Sequence, residues 1–112
     1  MIDAVTDATF DADVIGSTIP ILVELGASWC APCRAMAPVL AEIARERPDR
    51  LRVVTVDSDA NPKIVERFGV MSVPTLLLFS GGAQLHRVVG YTAQPKLLRI
   101  LDEVLAEHAT AR

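Results

Sequence analysis

A chain of 112 residues, 51% of them hydrophobic, is long enough for one domain with a real core and short for two. Its net charge of −3 comes from interleaved acidic and basic residues, as in Glu42, Arg45, Glu46, Arg47, Asp49, Arg50 and Arg52, so no basic stripe is left for nucleic acid. No run could span a bilayer, the start at Met1-Ile2-Asp3 lacks a leader's basic residues, and two cysteines are too few to staple a small secreted scaffold; a single cytoplasmic domain over residues 1–112 is expected.

In chain order, Ile2 to Val5 predicts a short strand. Asp7 to Ile15, with Phe10 and Val14 at helical spacing behind Thr6 as a cap, predicts a short helix. Ile19 to Leu25 is almost continuously apolar, as a central strand covered on both faces should be, and only Glu24 interrupts it. Burial there raises the pKa of a carboxyl group, which suits Glu24 to carry a proton.

Trp29-Cys30-Ala31-Pro32-Cys33-Arg34 follows directly and holds both cysteines. Thiols at this spacing can close a disulfide within one turn. Cys30 stands where a helix begins, so unpaired N–H groups and the positive end of the helix dipole favour its thiolate. Cys33, one turn further in and less accessible, is placed to attack a mixed disulfide formed by Cys30 and to release a reduced substrate. Met36, Val39, Leu40 and Ile43 continue as an amphipathic helix to about Arg47, ahead of Pro48. Pro38 inside it removes the hydrogen bond to the Arg34 carbonyl and is expected to kink it.

Leu51 to Val56 reads as a strand ending at Asp57. Asn61-Pro62 is a cap and first-turn pair for a helix to Phe68, which Gly69 ends. Thr75 to Phe79 and Ala83 to Val89, joined at Ser80-Gly81-Gly82, predict an antiparallel hairpin. A last helix from about Gln94 carries Leu97, Leu101, Val104 and Leu105 on one side. The order is a βαβ half followed by a ββα half, an α/β fold with a mixed sheet between helices. No metal is expected: a zinc site would need two ligands beyond the cysteines, and His86 falls in a strand while His108 falls near a helix end.

Together these motifs make the chain resemble the thioredoxin family over nearly all its length. The family pattern is matched by Phe10 to Val14, Trp29-Cys30-x-Pro32-Cys33, Ala37-Pro38, Val56-Asp57, Val73-Pro74-Thr75 and Gly90. The resemblance implies a thioredoxin fold, with protein disulfides reduced by dithiol–disulfide exchange through Cys30 and Cys33. It implies no bound cofactor, electrons from NADPH through a thioredoxin reductase, disulfide-containing substrate proteins as the other partners, and a monomer. It further implies a cis bond at Pro74 facing the cysteines, and a docking surface of Trp29, Ala31, Pro32, Val73, Pro74, Val89, Gly90 and Tyr91. Glu24 matches a buried acid, usually Asp, that moves a proton to or from the residue matching Cys33. The chain departs from the family at four places: Glu24 is one methylene longer, Ala31 stands where Gly is usual, Gly26 where a second Trp is usual, and Val53 where many members place a Lys near the acid. The alternative is a thioredoxin-fold binding or chaperone subunit whose association is gated by redox state.

Overall fold

The computed structural model describes residues 2–110; Met1, Ala111 and Arg112, part of the expected domain span, lie outside the described residues. Five strands form one mixed sheet: β1 (Asp3–Ala4), β2 (Ile21–Gly26), β3 (Arg52–Asp57), β4 (Thr75–Ser80) and β5 (Ala83–Val89), in the spatial order β1-β3-β2-β4-β5. β3 runs parallel to both β1 and β2, and β4 runs antiparallel to both β2 and β5. The long helices are α1 (Ala31–Glu46) and α3 (Gln94–Thr110), with the short α2 (Pro62–Arg67) between β3 and β4.

β2 lies at the centre and is buried along its whole length, which is why its sequence shows an apolar run rather than alternation. Its side chains still divide by parity. Ile21, Val23 and Leu25 join Val5, Phe10, Val14, Ile64, Leu77 and Phe79 on one face. Leu22 joins Met36, Leu40 and Ile43 of α1, together with Leu97 and Leu101 of α3, on the other. Glu24, two residues beyond Leu22, therefore belongs to the α1 side.

Three predicted elements change on folding. The strand expected over Ile2 to Val5 keeps only Asp3–Ala4 as a strand, although Val5 N–H still reaches the Thr55 carbonyl at 2.8 Å. The helix expected from Asp7 becomes a turn followed by a five-residue π-helical turn, Asp11–Ile15, closed by Gly16 N–H on the Asp11 carbonyl at 2.9 Å. It buries Phe10 against Phe68 and Phe79, with ring centroids 5.2–5.7 Å apart in that trio.

The third change is at α2, where Asn61 does not cap with its side chain. Its Oδ1 accepts the Asp7 N–H at 2.8 Å, and its Nδ2 donates to the Asp57 carbonyl at 2.9 Å. The Asp7 carboxylate caps the helix instead, taking Ile64 N–H at 2.9 Å and Lys63 N–H at 3.2 Å. A negative charge there also meets the positive end of the helix. The hairpin forms as expected, with Gly81 and Gly82 both at positive φ, the backbone that a two-residue turn between twisted strands requires.

Candidate active site

β2 ends at Gly26, whose carbonyl accepts both the N–H and the hydroxyl of Ser58 at 2.9 Å each. The chain then turns through Ala27 to Trp29 and enters α1 with Cys30 as its N-cap, its backbone still extended. Pro32 lies in the first turn, where a missing N–H leaves no bond unmade. The Cys30 sulfur fills the place of a capping oxygen and accepts the Cys33 N–H at 3.2 Å. Cys30 and Cys33 are joined as a disulfide, their Cα atoms 5.2 Å apart.

Both cysteines are buried in this oxidised state. Cys30 is 5% exposed and Cys33 7%, so the expectation that Cys33 is the less accessible of the two is not met. What separates them is direction. Cys30 Sγ lies 3.7 Å from the Val73 carbonyl oxygen, at the edge of the opposing loop, whereas Cys33 lines the cavity behind the site.

That opposing loop carries a cis bond between Val73 and Pro74. The Pro74 carbonyl accepts the N–H of Gly90 at 2.9 Å, and Gly90 takes φ 92°, a conformation that favours glycine. Through that bond the two loops are tied side by side. Of the residues expected to form one surface, Trp29, Ala31, Pro32, Val89 and Tyr91 are exposed, Val73 and Gly90 are half-buried, and Pro74 is buried.

Trp29 is 68% exposed but anchored, because its Nε1–H donates to Asp59 Oδ2 at 2.8 Å. Asp59 is in turn held by its own N–H on Asp57 Oδ1 at 3.0 Å. Nothing in the sequence pairs Asp59 with Trp29, thirty residues earlier. Met71, also exposed, lines with Trp29 a cavity of about 240 Å³ and has no sequence signal either.

Behind the disulfide, Glu24 is 6% exposed, and burial pushes its carboxyl pKa up to about 7. It shares a cavity of about 290 Å³ with Gly26, Cys33, Arg34, Thr55 and Asp57. The strand register sets Thr55 beside Glu24 and pairs Val53 with Leu22, so the position alongside the acid is Thr55 and not Val53. Arg34, the one cation lining this cavity among the described residues, donates to the Ser28 carbonyl at 2.7 Å. Among the described residues, no group of three or more His, Cys, Asp or Glu could hold a metal ion. No helix among them is long and apolar enough to cross a membrane.

A disulfide seated at a helix start, with an acid of near-neutral pKa behind it and a loop edge in front, is one that an incoming thiol can open and a neighbouring thiol can re-form. A protein carrying that pair is a thiol–disulfide oxidoreductase. Comparison with known proteins agrees: the thioredoxin family model matches residues 1–103. A thioredoxin of Mycolicibacterium smegmatis is 49% identical over 104 residues, covering 91% of this chain and 93% of its own. Thioredoxin 1 of Synechococcus elongatus is 45% identical, covering 91% and 95%. A bifunctional thioredoxin reductase/thioredoxin of Mycobacterium leprae is 48% identical over 90% of this chain, which spans 22% of that longer protein. The chain belongs to the thioredoxin family. Its activity is reduction of protein disulfides, and the redox group is its own cysteine pair rather than a bound cofactor.

Proposed function

We propose that Cys30 is the attacking thiol, Cys33 the resolving thiol and Glu24 the group that takes the Cys33 proton, within a single monomeric domain. The Cys30 thiolate attacks one sulfur of a substrate disulfide, forming a mixed disulfide and releasing the first substrate thiolate. Cys33 then passes its proton to Glu24, and its thiolate attacks Cys30 Sγ. The Cys30–Cys33 bond closes while the second substrate thiolate leaves with the electron pair, so the substrate gains two electrons. The observation that carries this order is the Cys30 sulfur at the N-cap of α1, accepting the Cys33 N–H on the side of the Val73-Pro74 loop.

Trp29, Ala31, Pro32, Val73, Pro74, Val89, Gly90 and Tyr91 seat the substrate chain as an extended segment against this rim, which brings its disulfide to Cys30. The dithiol is regenerated by a thioredoxin reductase drawing on NADPH, and the name of the M. leprae relative, which joins the two activities, supports that partnership. A cytoplasmic setting fits a chain whose cysteines serve chemistry rather than stapling. A coupled assay tests the proposal: in the presence of a thioredoxin reductase, NADPH should be oxidised and a disulfide-bonded protein reduced with turnover that depends on this chain. Partner binding without electron transfer would favour the redox-gated binding subunit instead.

A further inference from the structure

Glu24 and Gly26 occupy successive positions on the same face of β2, since side chains alternate along a strand. A Cβ placed on Gly26 would stand 2.9 Å from Glu24 Oε2, 3.2 Å from Oε1 and 3.3 Å from Cδ, and these carboxyl atoms are its three nearest neighbours. The acid thus folds back over the bare backbone of residue 26. Gly26 is not among the glycines at positive φ, so its backbone conformation does not itself call for glycine. What its lack of a side chain supplies is room for one carboxyl group.

We propose that Gly26 is a positioning residue for the proton-transfer step, and that the long acid at 24 and the missing side chain at 26 work as a matched pair which seats the carboxyl in the cavity shared with Cys33. This inference rests on the role given to Glu24 above. The other charged or titratable groups lining the cavity are Cys33 and Arg34 from α1 and Asp57 from β3, while β4 presents Leu76 as the register partner of Glu24. An alanine at 26 displaces only the end of a flexible side chain and leaves the backbone in place. The carboxyl must then leave that position and turn toward water, losing both its seat and part of the burial that raises its pKa.

The test uses the full chain as wild type, G26A, E24D, E24D/G26A and E24Q. The readouts are thermal midpoint, the titration midpoint of residue 24 by carbon-13 NMR of the carboxyl group, and the rate at which the mixed disulfide resolves against pH. In G26A the titration midpoint should fall by about one pH unit or more toward 4.5. Resolution near pH 7 should slow on the order of tenfold. Asp is one methylene shorter and does not reach position 26, so adding G26A to E24D should change the rate by less than about twofold. Wild-type titration and rates in G26A, or an equal loss in both backgrounds, would overturn the pairing. Should G26A fail to fold, recovery in E24D/G26A supports the contact and failure of both overturns it. E24Q separates the two claims: undiminished resolution in E24Q removes Glu24 from the mechanism, whereas slow E24Q with unaffected G26A removes only the role of Gly26.

Discussion

Burial of Glu24 makes the stability of this protein depend on pH in a direction opposite to that of most carboxylates. The unfolded chain releases this proton near 4.5 and the folded one near 7, because desolvation disfavours the charged form. Between those values the folded state holds a proton that the unfolded state has lost, so stability falls as pH rises. Below 4.5 both states are protonated and the full stability is present; above 7 both are ionised and the loss is complete. At about 1.36 kcal/mol per pH unit, the interval from 4.5 to about 7 corresponds to about 3 kcal/mol. For a chain of this size that is on the order of 10–20 °C in Tm. Glu24→Gln removes the titration while keeping nearly the same volume. Urea unfolding of oxidised wild type and E24Q between pH 4 and 8.5 isolates the effect, since every other titrating group is common to both. The stability of wild type relative to E24Q should decline by about 3 kcal/mol across the window and be level outside it. A difference that stays flat would mean the carboxyl titrates as it does in water, and the basis for its proton-carrying role would be gone.

Three further outcomes follow from the geometry. Cys33→Ser should accumulate a stable mixed disulfide on Cys30 when mixed with a disulfide substrate, visible on non-reducing gels; trapping by Cys30→Ser instead would reverse the two roles. Asp7→Ala should destabilise the protein by about 1–2 kcal/mol in urea unfolding, because it leaves the Lys63 and Ile64 N–H groups of α2 without their carboxylate partner; unchanged stability would show that water replaces that cap fully. Trp29 is the single tryptophan and adjoins a disulfide, an electron acceptor for its excited indole, so emission should rise on reduction with the same midpoint as thiol alkylation; emission indifferent to reduction would mean that the Asp59 anchor keeps the ring out of contact with the pair.

Much of this molecule is readable along the chain, because the properties involved are local. The unbroken apolar run of β2 announces a strand covered on both faces, and the 3.6-residue spacing of Met36, Val39, Leu40 and Ile43 announces one buried side of α1. Gly81 and Gly82 announce a turn, and Cys30 just ahead of Ala31-Pro32 announces a sulfur at a helix start. That Glu24 would be buried, and its proton held more tightly, follows from its place in the apolar run.

Other features depend on which segments meet, and periodicity identifies a face without naming the neighbour on it. The register of β3 decides that Thr55 rather than Val53 stands beside Glu24, and a slip of two residues would leave every face pattern intact. Asp7 displaces Asn61 as the side-chain cap of α2 only because folding carries it across more than fifty positions to the free N–H groups of that helix. Packing of Phe10 against Phe68 and Phe79 accompanies a π-helical turn where spacing alone suggested an ordinary helix. The anchoring of Trp29 by Asp59 belongs to the same class. Each is a contact of side-chain atoms in space, and such contacts are settled by close packing among segments whose sequences carry no record of one another.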